Sequence, residues 1–391
     1  MSSPLTIGLI GHSTKSDNLG VGALTVAEIE IVRALAVELG TPLKFLVFDW
    51  RNSRKSFVFG DDIELIEMSG KSIANPFLYF RNLLRTSMVI DIGGGDSFAD
   101  IYGPGRLVKI LLMKYQVHLA GKPLVLAPQT FGPFKSGWSR FLAKPHIRLA
   151  KSAFSRDHLS MDAMRGLGLG DEIELASDVA LKLPYSKPDF EGPNSKTKVG
   201  LNVSGLLMSG GYNQKNQFGL KVDYPELISE LITQFLELDE CELHLVPHVL
   251  SPDQEIEDDY RACVRLNEQF PETVLAPEFE TPSDAKSYIA NMDFFMGARM
   301  HSCIAAFSSG VPVVPMAYSR KFEGMFGALG YEHTVDCVEG ENEALVRTIM
   351  NAFGNREQIK TDVSVALNEG KTRLACYEDA IRALIQELSS R

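Results

Sequence analysis

The chain has 391 residues, 45% of them hydrophobic and 23% charged, which excludes a disordered or fibrous protein and points to two domains of ordinary size rather than one core. A formal net charge of −11 argues against a nucleic-acid binder, because such proteins concentrate positive charge to replace phosphate counterions. Five cysteines, odd in number and without a CxxC pair, argue against a zinc site or a disulfide framework and for reduced, mostly buried thiols in a cytoplasmic protein.

The opening MSSPLTIGLIGHS has no basic stretch before its apolar segment and no small-residue cleavage site, so a secretory leader is not expected, and no apolar run is long enough to span a bilayer. Charge is unevenly spread. Between Asp100 and Asp157 there is no acidic residue, while ten lysines and arginines fall in that span. Such a cluster either attracts anions, phosphorylated substrates or acidic lipid headgroups among them, or is a solvated basic face.

Taken in chain order, β-branched runs alternate with helical patterns: TIGLIG, LKFLVFD, IELIEM, SMVIDIGG, PLVLAPQ, SAFSRD and EIELASD in the first half, as βα units of a largely parallel sheet. The spacing of TVAEIEIVRALAVELG predicts an amphipathic helix closed by Gly40. Proline and glycine then accumulate in the polar stretch after Asp178, which places a linker at 185–197 between an N-terminal domain, 1–184, and a C-terminal domain, 198–375. KVGLNVSG, CELHLVPH, TVLAP, MDFFMGAR and VPVVPMAY continue the alternation. The expected fold is α/β with two Rossmann-like domains facing a cleft, and a C-terminal helix, 376–391, packing back on the first domain.

In open parallel sheets ligands bind beyond the carboxyl ends of the strands, so residues just after predicted strands are the candidates. Asn18, Gly20 and Gly22 in the loop after the first strand can let backbone N–H groups approach a ligand, or simply make a tight connection. DIGGGDSF offers close backbone approach at Gly94 and Gly95, with Asp96 as a general acid or base or as a turn cap. Gln129 in APQTFGPF can present its amide to a sugar hydroxyl, or the segment can simply be a rigid loop. In SAFSRDHLS, Arg156 is a candidate anion clamp, with an Arg156–Asp157 pair or a helix cap as the structural alternative. Asp178 also follows a strand, where a loop carboxylate is common.

In the second half His248 follows a strand and can donate to a phosphate or shuttle a proton, with a purely structural histidine as the alternative. Arg299 and His301, two apart in an extended segment, can grip one ligand, and the helix opened by Ser302 adds N–H donors and a favourable dipole. Tyr318 and Lys321 fall at the next sheet end. No metal cluster is expected. The basic segment KSGWSRFLAKPHIRLAK, with its aromatic residues and a helix interrupted at Pro145, is read either as a rest on a membrane bearing a lipid-linked saccharide or as an ordinary packed helix.

Together NLGVGAL, GGGDSF, APQTFGPF, FSRDHLS, the VPH segment and GARMHSCIAAFSSGVPVVPMAYSRK resemble, in order, the blocks of the polysaccharide pyruvyl transferase family, over about residues 10 to 330. The resemblance implies a fold similar to the two-Rossmann GT-B glycosyltransferases, and transfer of pyruvate from phosphoenolpyruvate, as donor substrate and without a cofactor, to saccharide hydroxyls as a ketal. It matches Arg299 and His301 to the family's arginine–histidine pair and Arg156 to its arginine–aspartate block. On that basis His301 is the general acid, Asp96 or His248 handles the acceptor hydroxyl, and Arg299→Ala is expected to suppress phosphate release without unfolding the protein. The competing readings are a glycosyltransferase of the same architecture using a nucleotide-sugar, and a non-catalytic sugar-binding homologue. Acceptor, lipid linkage and oligomeric state are left open, and a cytoplasmic place, peripheral at the inner face of a membrane, is the expected location.

Overall fold

The computed structural model describes residues 4–52, 54–69, 76–187 and 196–390. Residues 188–195 of the expected linker lie outside the described residues. The chain divides into two compact units, one of residues 1–16, 24–182 and 370–391, the other of residues 17–23 and 183–369.

The first unit is built on a seven-stranded sheet in the order β3-β2-β1-β4-β5-β6-β7. Its strands are β1 (Leu5–Ile10), β2 (Leu43–Trp50), β3 (Ile63–Met68), β4 (Met88–Asp91), β5 (Leu124–Gln129), β6 (Ser152–Ser155) and β7 (Glu174–Leu175). Every pairing is parallel, with Ile7 opposite Met88 and Ile10 opposite Asp91. β4 and β5 are buried along their whole length, as apolar runs covered by helices on both faces require. Four of the helices are α1 (Leu19–Glu38), α2 (Pro76–Leu84), α3 (Pro104–Leu119) and α4 (Gly137–Leu149), and α5 (His158–Arg165) follows β6.

Two details differ from expectation. α1 begins at Leu19, so Gly20 and Gly22 are helical rather than loop residues, with the Asn18 side chain capping the Gly20 N–H at 2.9 Å. α4 runs through Pro145 instead of stopping there.

The second unit holds a six-stranded parallel sheet ordered β10-β9-β8-β11-β12-β13. Its strands are β8 (Thr197–Asn202), β9 (Cys241–Leu245), β10 (Val274–Leu275), β11 (Phe294–Gly297), β12 (Val313–Ala317) and β13 (Val335–Asp336). In order, its helices are α6 (Gly205–Met208), α7 (Tyr224–Leu236), α8 (Asp259–Gln269), α9 (Pro282–Ile289), α10 (Met300–Ser308), α11 (Lys321–Phe326) and α12 (Asn342–Gly354). α7 buries Leu227, Ile228, Leu231, Ile232 and Phe235, a helical-period stripe, against this sheet, and Asp223 caps it. α13 (Arg356–Ser389) is longer than the terminal stretch the sequence suggests. Its distal part belongs to the first unit, where Tyr377 packs edge-on to Phe154 at 5.2 Å and Lys151 pairs with Glu387. Both units are therefore Rossmann-like, as the alternation of strands and helices predicts.

Candidate functional site

In each sheet the strand order reverses at one place, between β1 and β4 in the first unit and between β8 and β11 in the second. Loops leaving the carboxyl ends of those strand pairs flank a natural crevice for ligands.

In the first unit Gly93, Gly94 and Gly95 after β4 all have positive φ, at 55°, 58° and 85°, a conformation that disfavours any residue with a Cβ. Space demands glycine too: a Cβ on Gly95 would lie 2.9 Å from Leu24 Cδ1 and 3.3 Å from Arg156 Nη1. The loop is tied to β1 by the Gly94 N–H donating to the Gly11 carbonyl at 2.8 Å. Asp91 supports it, accepting from the Gly93 N–H at 3.1 Å while forming a buried ion pair with Lys114.

Arg156 is buried behind this loop. Its Nη1 donates to Asp178 at 2.8 Å and its Nε to Thr130 Oγ1 at 3.1 Å. Burial works against its charge, but Asp178, Asp157 and Asp96 outweigh that and hold the guanidinium above its ordinary pKa. Asp157 caps α5, accepting from the Ser160 N–H at 2.7 Å, so the cap alternative holds for that residue. Half-buried Asp96 accepts from Tyr102 Oη at 2.6 Å. Thus Asp96, Gly94, Gly95, Arg156 and Asp178 come together at one sheet end.

Gln129 does not present its amide outward as expected. It is fully buried and its Nε2 donates to the Asp91 carbonyl at 2.9 Å, because the space beside the triglycine turn is filled by this side chain. The sequence reading passed over His12, after β1. It is buried, neither ring nitrogen has a hydrogen-bond partner among the described residues, and burial lowers its pKa to about 3.

In the second unit Asn202, the last residue of β8, accepts the Arg299 N–H at 2.8 Å and donates to the Val246 carbonyl at 2.9 Å, joining three strand ends. Arg299 is the N-cap of α10, and its Nη2 and Nε donate to Asp259 at 2.7 and 3.1 Å, with Nη2 also donating to the Glu257 carbonyl at 3.0 Å. Asp259 is fully buried and further accepts from the N–H groups of Gly205 at 2.8 Å, Val249 at 2.9 Å and His248 at 3.2 Å. Burial opposes the Arg299 charge, yet Asp259 raises its pKa further. The arginine is therefore a structural ion-pair member as well as a candidate ligand group.

Beside it, His248 is buried with neither ring nitrogen hydrogen-bonded among the described residues, and burial, aided by His301 and Arg299, lowers its pKa to about 3. His301 stands half-buried in the first turn of α10. Residues 17–23 belong to this unit: Asn18 bridges Val249 in antiparallel fashion, the Leu19 N–H donates to the His248 carbonyl at 3.1 Å, and Gly20 packs on the His301 ring. Asn18, Gly20, His248, Arg299 and His301 thus form a second cluster.

Ser302 departs from expectation. α10 starts at Met300, and the buried Ser302 hydroxyl donates back to the Arg299 carbonyl at 2.7 Å rather than facing a ligand. Tyr318 packs edge-on between Phe218 and Phe322, with its phenol among the groups acting on Arg299, and Lys321 opens α11. A groove of about 340 Å³ lies in the same unit, lined in part by Met208, Gln214, Asn216, Phe218 and Tyr224. Among the described residues no group of three His, Cys, Asp or Glu side chains is placed to hold a metal, and no helix is long and apolar enough to cross a membrane.

Nothing local in the sequence marks Asp259, whose partner Arg299 lies 40 positions on. Asp258 caps α8, which leaves the carboxylate one residue on with no local explanation.

The profile of the family described as polysaccharide pyruvyl transferase matches residues 37–320, a span that holds Asp96, Arg156, His248, Arg299 and His301. The amylovoran biosynthesis protein AmsJ of Erwinia amylovora is 22% identical over 306 residues, covering 73% of this chain and 70% of that protein. Among solved structures, a putative UDP-N-acetylglucosamine 2-epimerase from Listeria monocytogenes superposes with a TM-score of 0.59 at 15% identity, covering 94% of each chain. The UDP-GlcNAc 2-epimerase from Neisseria meningitidis bound to UDP-GlcNAc gives 0.57 at 12% identity over 99% of each. At such low identity these two show the fold alone, which is GT-B-like.

Proposed function

The chain belongs to the polysaccharide pyruvyl transferase family, and from that membership we propose that it moves pyruvate from phosphoenolpyruvate to two hydroxyls of a saccharide, forming a cyclic ketal and releasing phosphate. The reading is carried by one observation: an arginine and two histidines, Arg299, His301 and His248, gather at the start of α10, beside the reversal point of a parallel sheet.

The reaction needs a proton delivered to the methylene carbon of the enol, attack of a saccharide oxygen on the neighbouring carbon with loss of its proton, and displacement of phosphate by a second oxygen. The start of α10 offers N–H donors and the positive end of its dipole for the phosphate or carboxylate. Arg299, whose Nε and Nη2 are held by Asp259 and the Glu257 carbonyl, adds the N–H bonds of its Nη1. His301 is assigned proton delivery to carbon. His248, uncharged at neutral pH because it is buried, donates a hydrogen bond to the anion without adding another buried charge. Of the two residues assigned the proton of the acceptor hydroxyl, His248 belongs to this cluster, with Lys321 and Tyr318 as supporting contacts, whereas Asp96 stands with Arg156 at the sheet end of the first unit.

The test is phosphate release from phosphoenolpyruvate against a panel of glycans. Wild type is expected to release phosphate only with a matching glycan, and His301→Ala to lose on the order of 100- to 1,000-fold in rate at unchanged melting temperature. Thermal protection by a nucleotide-sugar but not by phosphoenolpyruvate would overturn the donor assignment.

A further inference from the structure

Helices α2, α3 and α4 stand side by side on the first unit: Tyr79 Oη donates to the Met113 carbonyl at 3.5 Å and Tyr115 Oη to the Leu142 carbonyl at 3.1 Å. Their outer faces carry many exposed apolar side chains. Among the described residues nineteen large hydrophobic side chains are exposed, and eleven of them fall between Phe77 and Leu149, against three in residues 183–369 of the second unit. Phe77 is 82% exposed on α2, Leu119 77% and Leu112 48% on α3, and Phe141 76% and Leu149 59% on α4. Leu112 and Leu119 are seven apart, Phe141 and Leu149 eight, so each pair lies along one helix face.

This surface coincides with the acid-free span. Two of its ten cations, Lys114 and Arg156, are buried in ion pairs, and Arg148 and Lys151 reach Glu172 and Glu387. Lys109, Lys135 and Arg140 are exposed and Lys144 half-buried, interleaved with the apolar residues. Soluble proteins rarely expose so many apolar side chains together without a use for them.

We propose that the outer faces of α2, α3 and α4 rest on an anionic phospholipid bilayer, the apolar side chains entering the acyl boundary and the lysines and arginines meeting the headgroups. Charge decides the occupant. A second copy of the chain docking by the same face would set cation against cation. An acyl layer accepts side chains spread over three helices, whereas a protein partner engages a few gathered anchors. The surface is independent of the donor reading and stands whether or not phosphoenolpyruvate is the substrate.

Sedimentation of the full-length protein with vesicles tests this at physiological salt. Partition onto vesicles containing phosphatidylglycerol is expected to exceed that onto pure phosphatidylcholine by ~10-fold or more, since each basic residue near such a surface adds to binding. Leu119→Ser with Phe141→Ser is expected to lower partition onto both by at least ~10-fold. Lys109→Glu with Lys144→Glu is expected to remove the preference for phosphatidylglycerol, with the melting temperature of both variants unchanged because these side chains are outside the core. Failure to sediment with phosphatidylglycerol vesicles, equal partition of wild type onto both lipids, or a dimer in solution that the serine variants split would each overturn it.

Discussion

Gly20 lies against the imidazole of His301 so closely that a Cβ on it would fall 2.7 Å from the ring's Cγ and Nδ1. The two residues are 281 positions apart and belong to the same compact unit.

Gly20→Ala should therefore disturb activity through His301. Its backbone is helical, where alanine is favoured by up to about 1 kcal/mol, but His301 Cβ would also lie 2.7 Å away, so the start of α10 must shift along with the imidazole, and such overpacking costs about 1 to 3 kcal/mol. A displacement near 1 Å of a reacting group costs on the order of 100-fold in rate. The expected result is a lowered melting temperature together with a steep loss of phosphoenolpyruvate-dependent phosphate release, larger than the loss of folded protein accounts for. Full activity in this variant would remove His301 from the chemistry.

Arg299→Ala, which the sequence alone presents as a clean functional variant, is expected to be structurally costly. It strands the buried carboxylate of Asp259, and breaking such a pair typically costs roughly 3 to 5 kcal/mol. Urea unfolding should show a lowered midpoint, partly restored by adding Asp259→Asn. An unchanged midpoint would mean the pair does not hold the sheet-end loops.

Glu28, fully buried on α1 and hydrogen-bonded by Tyr377, should weaken the fold as pH rises. Burial lifts its pKa from 4.5 to about 7, with the Tyr377 bond opposing the shift. Between those values the folded state holds a proton that the unfolded state has lost, so stability declines from pH 4.5 to 7 and is level above. The contribution is about 3 kcal/mol at 1.36 kcal/mol per pKa unit. Subtracting the urea-midpoint profile of Glu28→Gln from that of wild type should reveal this decline, and a flat difference would refute it.

Buried histidines act in the opposite direction. His12, His146 and His248 all have pKa values lowered from 6.5 to about 3, by burial first, with nearby cations adding to the shift at His146 and His248. Between pH 6.5 and 3 the unfolded chain binds protons that the folded one refuses, so the stability present above 6.5 is lost on acidification. Each imidazole should cost about 2 kcal/mol by pH 5. Stability measured from pH 7.5 down to 5 should fall, and His146→Phe should fall less. Equal slopes would place His146 outside this account.

Strands and most helices were legible because apolar periodicity is a local signal: SMVIDIGG and MDFFMGAR already read as strands ending in glycine and a charged residue. What stayed hidden depends on contacts far apart in sequence. The Asn18–Val249 bridge, which groups residues 17–23 with the second unit, has no local trace. NLGVG reads as a loop from its glycines, whereas the Asn18 cap starts a helix there. Gln129 and Ser302 look like ligand groups from their position after a strand, but the backbone carbonyls of Asp91 and Arg299 claim them. Asp259 is the reverse case, a buried carboxylate without a local sequence signal whose partner Arg299 lies 40 positions away.

The carboxylate of Asp259 also bears on how the arginine at 299 would meet the anion proposed for it. Because that guanidinium already has its counter-ion, it exerts little long-range pull, and small monovalent anions gain no bare positive charge to collect on. What it has left to extend is the N–H pair of Nη1, since Nε and Nη2 donate to Asp259 and the Glu257 carbonyl, so it would best serve a ligand large enough to engage the helix start and the neighbouring imidazoles at once. Discrimination then rests on shape and hydrogen-bond direction, and should persist in concentrated salt.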